Sequence, residues 1–596
     1  MALTWINAAL ADNWSLAAIH RRAGRRDRVG MTVVALPRRV PNPSWSEEEI
    51  LQIMELPVDL LHWSLASLPI LALAVLMVNL RWTAQQAGAA GIFIAAAVAF
   101  FIFKTPMSTL AVAGAKGVWD AIFILYVIWP ALLLYQIMNQ AGGYDALRRG
   151  ITRMSRNELF IIVALGWVFA SFLQGIDGFG TPIAVVAPLL VAFGVRPVYA
   201  VAIPIIAHIW AKFFGTLGVG WLATLQVVDL DEATTLATAY QSGLLIIIQA
   251  VLGGFTIVWM YGRWPAIRHA WPLVLIIATI QGVGQLLSTL VDPALAAFLP
   301  ATAAMLALYP LSRWRRYAQP ATDIVDRPAM RESHADSAIG RTPPMGSAMS
   351  FFPYVLLTVL ALGTSMIEPL KAVLAGVTFG LPFPAVTTGY GVTNAAIPVY
   401  SALKPLTHPG ASLIVTAVVT WCLYRARGYY EAWSMTTGTK PVGVLRGLLE
   451  SAVPASVPIV AFLVMAALMS HSGQNDTLAL GIAAIAPAYA FAFLSNGIGI
   501  IGAFTTSSST SSNVLFSDLQ VTLARLKGLP EATILAAQSA GGAIGNAIAP
   551  ANVVMGASTA GISGQEGAIL RKTLPWTLFA FLLTGVATVL LVVLAA

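Results

Sequence analysis

The sequence predicts an all-α polytopic membrane protein, and three observations carry that prediction. Hydrophobic residues make up 58% of the 596-residue chain and charged residues only 10%, with a mean hydropathy of +0.78. A soluble domain needs roughly 25% charged residues to cover its surface. Apolar runs near the roughly 20 residues needed to cross the hydrocarbon core recur from Trp63 to Ala596, enough for about twelve to fourteen transmembrane helices. Within those runs stand glycine-rich polar segments. Backbone N–H and C=O groups at membrane depth must be satisfied inside the protein, so these segments predict broken or re-entrant helices that line a wet cavity.

The formal charge of +8 falls in short clusters between spans. The positive-inside rule accounts for it, and no nucleic-acid partner is implied. Cys422 is the single cysteine, which excludes an intrachain disulfide and a cysteine-based metal site. His208, His408 and His471 lack ligand spacing, so no metal is expected. No nucleotide-binding loop appears, so neither a cofactor nor ATP-driven transport is expected.

Taken in order, residues 1–55 read as a poorly structured N-terminal extension that touches anionic lipid, or as a mis-assigned start with translation beginning at Met54. The first transmembrane half, 56–312, opens with spans from Trp63 to Asn79 and Gly88 to Phe103. A third region, Lys116 to Asn139, carries Asp120, Pro130 and Tyr135. A loop with Arg148, Arg149, Arg153 and Arg156 then reads as a cytoplasmic anchor. Ser171 to Pro182 (SFLQGIDGFGTP) is the first broken segment, and Pro204 to Gly220, with His208 and Lys212, is the second. Spans follow at Leu244 to Met260, Pro272 to Leu290 and Ala294 to Leu311.

Residues 313–350, rich in Arg, Pro, Asp and Ser, cannot bury enough apolar surface to fold and read as a mobile polar linker. The second half, 351–596, has an interruption predicted at Gly389 to Asn394. It has spans from Ser412, at Ser451 to Ser470 and at Leu478 to Phe493. Two further anomalies follow, Gly502 to Asn513 (GAFTTSSSTSSN) and Gln538 to Pro550 (QSAGGAIGNAIAP). Gln174 and Lys212 stand as far apart in sequence as Ser509 and Asn546, to within one position. Two inverted-repeat-like halves with broken helices meeting near the midplane are the architecture of a secondary transporter. The helix N-termini there offer positive potential to an anion.

At these segments the chain resembles the L-lactate permease family of bacterial L-lactate and glycolate transporters, over about Leu56 to the C-terminus. The first family signature is matched by Phe172, Gly175, Gly178, Phe179, Gly180 and Pro182, and the second by Thr506, Ser508, Thr510, Ser511, Ser512 and Asn513. A downstream glycine turn is matched by Gly541, Gly542, Gly545 and Pro550, and SLASLPIL at Ser64 to Leu71 and GGYDALRRG at Gly142 to Gly150 also fit. The chain departs where the family carries ionisable residues: Gln174 stands for a glutamate, Ser509 for an aspartate and Asn546 for a lysine. Asp177 and Lys212 stand where uncharged residues are expected.

The resemblance implies an inner-membrane symporter that is not an enzyme. It would import a small 2-hydroxymonocarboxylate, lactate or glycolate, with protons and the lipid bilayer as its other partners. The candidate substrate residues are Gln174, Gly175, Gly178, Gly180, Ser508, Ser509, Thr510, Ser511, Asn513, Gly541, Gly542 and Asn546. Asp177, His208 and Lys212 are the candidates for proton or charge coupling. The glycine turns at Gly175 to Gly180 and Gly541 to Gly545 would present N–H groups to a carboxylate. The changed charges keep open another organic anion, a sulfonate or a larger carboxylate. A membrane-bound enzyme or a sensor is the alternative of a different class, and oligomeric state is not set by the sequence.

Overall fold

The computed structural model describes residues 56–80, 82–178, 180–331, 343–438 and 442–595. The expectations for 1–55 and for the middle of the 313–350 linker lie outside them. The first half comprises α1 (Leu60–Ala74), α2 (Ala84–Phe101), α3 (Met107–Gln140), α4 (Gly143–Thr152), α5 (Glu158–Ile176), α6 (Thr181–Ala192), α7 (Pro197–Ala211), α8 (Gly215–Leu225), α9 (Glu232–Thr289) and α10 (Pro293–Ser312). The second half comprises α11 (Ser347–Met366), α12 (Glu368–Ala375), short strands β1 (Phe379–Phe383), β2 (Val386–Thr387), β3 (Thr393–Asn394) and β4 (Ile397–Leu403), then α13 (Pro409–Ala426), α14 (Tyr429–Thr437), α15 (Val444–His471), α16 (Gln474–Ile485), α17 (Ala488–Thr506), α18 (Ser509–Leu526), α19 (Glu531–Gly545), α20 (Pro550–Thr559) and α21 (Glu566–Ala595).

Among the described residues eleven helices are long and apolar enough to cross a membrane. The count is twelve if α7 and α8, bent by 56°, form one broken span. The 58-residue α9 holds two legs, because backbone angles turn non-helical at Gly262 and Arg263. Gly243 lies against Leu286 and Gly282 against Ile247, the register of an antiparallel pair. Caps fix several starts. Thr83 and Gln86 form a capping box on α2, Asn157 accepts from Phe160 N at α5, and Asp231 accepts from Thr234 N at α9.

Interactions between turns sort the helix ends onto two faces. On one face Arg327 pairs with Glu158 at 3.0 Å, Arg196 N donates to Ala329 O at 2.7 Å and Ser347 Oγ reaches Ala146 O. This face also gathers Arg148, Arg149, Arg268 and Arg316, which makes it cytoplasmic by the positive-inside rule. On the other, Gly389 N donates to Lys104 O at 3.0 Å, Ser365 Oγ to Asp292 Oδ2 at 2.7 Å and Arg525 to Asp229 O at 3.1 Å.

The two halves then read as inversions of each other. Glu158 and Arg196 are both tied to 327–331, so α5 and α6 enter from the cytoplasmic face and return to it as a re-entrant hairpin. Gly166 of α5 lies against Leu190 of α6, as such a hairpin requires. Helices α7 and α8 then cross to the outer face. In the second half Lys527, just past α18, donates to Ala483 O at 2.9 Å, in the last turn of α16, which leads into α17. Thus α17 and α18 form a hairpin that enters from the outer face, and α19 and α20 cross back. Helix α6 packs on α20 and α8 on α18, the pairing a two-fold exchange of the halves demands.

Several expectations are corrected. The interruption predicted at Gly389 to Asn394 is the turn region of an outer-face β excursion, with β1 antiparallel to β4 and β2 to β3. The basic loop after Gly142 is helical through Thr152. The span predicted over Leu478 to Phe493 does not form, because Pro487 separates α16 from α17. The glycines 541–545 lie inside α19 rather than in a turn.

Those glycines let α17 and α19 touch backbone to backbone. A Cβ on Gly541 would stand 1.9 Å from Asn496 O, and one on Gly545 2.5 Å from Ile500 O. Gly541→Ala is expected to destabilise the fold by about 1–3 kcal/mol, the usual cost of overpacking. Gly567→Ala, with open space around it, should leave thermal unfolding in detergent unchanged; equal melting of the two variants would refute the close contact.

Candidate functional site

The first hairpin tip is built by the residues that stop α5. Asp177 leaves the helix with extended angles, and Gly180 takes φ 90°, a left-handed conformation that glycine adopts without a Cβ penalty. Pro182, at the second position of α6, needs no N–H partner there. Thr181 Oγ1 donates to Asp177 Oδ2 at 2.7 Å, and Gly178 N donates to Thr216 Oγ1 at 2.8 Å. Phe179 lies outside the described residues.

Gln174 sits against this tip. A Cβ on Gly178 would lie 2.2 Å from Gln174 Nε2, and one on Gly215 2.7 Å from it, so both glycines make room for the amide. Gln174 is 2% exposed, and its Oε1 meets no donor. Gly175 is helical and faces the Phe298 backbone of α10.

The α7–α8 break supplies the other wall. Ser171 Oγ donates to Ala207 O at 3.1 Å and accepts from Trp210 Nε1 at 2.8 Å. His208 is fully buried; its Nδ1 bonds Pro204 O, and its Nε2 has no partner. Thr216, Leu217 and Gly218 take φ values of 52°, 51° and 80°. Two non-glycine residues in succession there store strain of order 1–3 kcal/mol each. Lys212 is buried and, among the described residues, makes no ion pair with Asp177. The phenols of Tyr135 on α3, Tyr144 on α4 and Tyr354 on α11 lie within electrostatic reach of the Asp177 carboxylate.

The second hairpin turns at Ser507, a serine at φ 56°. Ser508 caps α18, its Oγ accepting from Ser511 N at 3.2 Å. Ser507 Oγ accepts from Ala551 N at 3.2 Å and so caps α20 across the break. Ser512 Oγ donates to Gly499 O at 2.8 Å. Gln538 Nε2 reaches Ser512 and, at 3.4 Å, Asn513 Oδ1, while Gln538 Oε1 accepts from Gln520 at 2.8 Å. Asn513 is fully buried, and its Nδ2 has no acceptor. Gly542 leaves space beside Asn513 Oδ1 and Ser509 O. Asn546 donates to Gly542 O at 2.9 Å and accepts from Asn552 at 3.1 Å. Ser509 and Ser511 are buried, and Thr510 is half-buried.

Gln174, Gly178 and Asp177 therefore gather at one tip with Gly215 and Thr216. Ser509, Asn513 and Gly542 gather at the other with Gln520 and Gln538. The two meet through α8 on α18 and α6 on α20, where Met555 fills the space beside Gly180. Gly541 serves helix contact, and the rings and amines of His208 and Lys212 are not joined to Asp177. Thr216, Ser507 and the three tyrosines are additional. Only their positive φ or their spatial neighbours single them out, and neither shows in residue type.

Comparison with known proteins decides the family. The family model for L-lactate permease matches residues 63–595. The chain belongs to the L-lactate permease family. Relatives include the L-lactate permease of Salmonella typhi, 26% identical over 88% of this chain and 95% of the relative. The glycolate permease of Escherichia coli K12 is 27% identical over 88% and 94%, and the L-lactate permease of Halalkalibacterium halodurans 27% over 88% and 96%. Among solved structures, the YdaH transporter of Alcanivorax borkumensis aligns with a TM-score of 0.39 and 14% identity, over 78% of this chain and 84% of that one; a likeness at that level carries no argument. Like its permease relatives, this member of the family is a multi-pass protein of the bacterial inner membrane.

Thr216→Val keeps the side-chain volume but removes the acceptor of Gly178 N. It is expected to destabilise the tip by about 1–3 kcal/mol, the cost of a buried unsatisfied donor. Thr216→Ser should restore the wild-type melting temperature; a valine variant as stable as wild type would show the bond to be dispensable.

Proposed function

We propose that this permease imports a small 2-hydroxymonocarboxylate, lactate or glycolate, together with protons, by alternating access around the two hairpin tips. The observation that carries the proposal is the pair of orphaned buried atoms, Gln174 Oε1 at the first tip and Asn513 Nδ2 at the second. A buried polar atom without a partner is costly, and a ligand that supplies the partner relieves that cost. A 2-hydroxycarboxylate brings a hydroxyl donor for Gln174 Oε1 and carboxylate acceptors for Asn513 Nδ2. Thr510, Ser511 and the cap Ser508 add hydroxyls, and the N-termini of α6, α18 and α20 favour the negative charge.

Transport rather than catalysis is the reading, since the polar groups sit at paired helix breaks inside the membrane-spanning body, the arrangement of a transporter site. Ser509, Asn546, Gly175, Gly180, Gly541 and Gly542 serve by shaping the tips. Asp177, which accepts from the Thr181 hydroxyl at 2.7 Å, is the inner coupling group in this proposal, with the phenols of Tyr135, Tyr144 and Tyr354 within its electrostatic reach. Lys212 and His208 add charge and polarity behind the tip.

Purified protein in liposomes should accumulate labelled lactate or glycolate when an inward proton gradient is imposed, and Gln174→Leu and Asn513→Leu should each raise KM by about tenfold, the loss of one hydrogen bond to a charged or buried partner. Accumulation of a sulfonate or larger carboxylate, with neither hydroxy acid moved, would replace the substrate. Asp177→Asn should lower gradient-driven accumulation by at least about tenfold while holding the fold, since an amide cannot titrate; wild-type accumulation in that variant would make the carboxylate structural.

A further inference from the structure

Away from the hairpin tips, a second buried ionisable cluster stands near the outer end of α3. Lys116 and Asp120, one turn apart on that helix, are each 3% exposed. Charged groups at such depth are costly and mark ion or substrate pathways. Lys116 Nζ lies 3.1 Å from Nε2 of His471, at the end of α15. Its ammonium faces the Tyr400 ring at 5.1 Å and the Phe383 ring at 5.8 Å. The Tyr400 hydroxyl donates to Asp120 Oδ2 at 2.9 Å. Asp120 Oδ1 is buried and meets no donor.

Phe383 and Tyr400 belong to β1 and β4, so the outer β hairpin roofs the cluster. That roof is tied to the transport path. Trp119 Nε1 donates to Ser401 O at 3.2 Å, and Ser401 Oγ donates to Gln226 Oε1 at 2.6 Å, just past the end of α8. Ser401 holds φ 41°, a strained left-handed angle for a non-glycine residue.

We propose that Asp120 is the outer proton-binding site, where the proton that accompanies the imported anion is loaded before the anion enters. The inference rests on the proton-coupled reading above. A hydronium ion of the outer solution gives its proton to Oδ1: one O–H bond of the hydronium breaks, one forms on the carboxylate, a water molecule leaves, and Asp120 becomes a neutral acid. Lys116 then loses the compensating charge one turn away, and its ammonium attracts an incoming carboxylate. The Tyr400 bond to Oδ2 weakens as its acceptor turns neutral, which loosens the roof.

The titratable groups facing Asp120 are Lys116 on its own helix, Tyr400 on β4 and, through Lys116, His471 on α15. From α8 the link is the neutral Gln226 through Ser401. His408, at the start of α13, turns instead to the rings of Phe123 and Tyr126 at 4.6 and 5.2 Å. Tyr135, which faces Asp177, lies on the same helix about 22 Å further toward the cytoplasm, at 1.5 Å per residue. The long α3 thus carries an outer acid and borders an inner one.

Infrared difference spectra of the wild-type protein in lipid, recorded across a pH titration without substrate, should contain a carboxylic-acid band that disappears in Asp120→Asn. The same variant in liposomes should accumulate at least about tenfold less labelled lactate under an inward proton gradient and show a flattened dependence on outer pH. Asp120→Glu should recover part of that dependence. Tyr400→Phe, which keeps the acid and removes its hydrogen bond, should shift the pH midpoint of the band. An unchanged band in Asp120→Asn, or wild-type gradient-driven accumulation in it, would overturn the proposal, as would an unmoved midpoint in Tyr400→Phe. If the wild type moves neither lactate nor glycolate, the substrate reading fails while the spectra still decide the proton site.

Discussion

A helix that stops inside a bilayer leaves carbonyls and amides that no water can satisfy, and the architecture follows from where those groups find partners. Gly178 N at the first tip is held by Thr216 in the α7–α8 break. Ala551 N, at the start of α20, is held by Ser507 at the second tip. In each half the hairpin and the broken helix complete each other, and neither is stable alone at that depth. The same dependence makes the tips a joint: moving one hairpin changes the partners available to its broken helix.

Inversion gives that joint two orientations. One hairpin enters from the cytoplasmic face and the other from the outer face, and the crossed pairs α6 with α20 and α8 with α18 lie between them. A chain that repeats one motif in opposite senses can exchange the environments of its halves, so an outward and an inward arrangement come from one set of contacts. Close glycine packing suits rigid-body movement of such a unit. Gly541 and Gly545 bring α19 onto α17 without interlocking side chains.

The membrane class, the broken segments and their repetition were legible because each is a local conflict between polarity and an apolar run. SFLQGIDGFGTP and the serine run need no partner to look anomalous. Face and direction were not legible, since Glu158 and Arg327 must meet before α5 and α6 can be seen to return. Glycine function was ambiguous for a physical reason: Gly180 is required by φ, Gly178 by the Gln174 amide and Gly541 by a neighbouring backbone, yet all three are one letter. Tyr135 and Tyr354 pass for packing aromatics until Asp177 is set beside them. The β hairpin was misplaced because its short apolar strands read like a membrane segment interrupted at Gly389, whereas its polar groups pair strand to strand at the surface.

The three neutral positions, Gln174, Ser509 and Asn546, change what the tips can do electrically. An amide or hydroxyl binds by hydrogen bonds and holds no net charge, so at these three positions the proposed binding of an anion needs no proton to be released or taken up first. Recognition and coupling are then separable. In the proposed transport cycle a carboxylate ligand adds a negative charge to tips that already hold one acid, Asp177, hydrogen-bonded by Thr181. That added charge must be compensated elsewhere along the path, because an unpaired charge in a low-dielectric interior is expensive. On the proton-coupled reading proposed above, the compensating proton resides on carboxylates rather than on the neutral amides and hydroxyls that grip the substrate. In the proposed mechanism Asp120, under the outer roof on α3, and Asp177, at the first tip beside α3, are the two acids that carry it, so the longest uninterrupted helix of the first half links the two proposed proton sites.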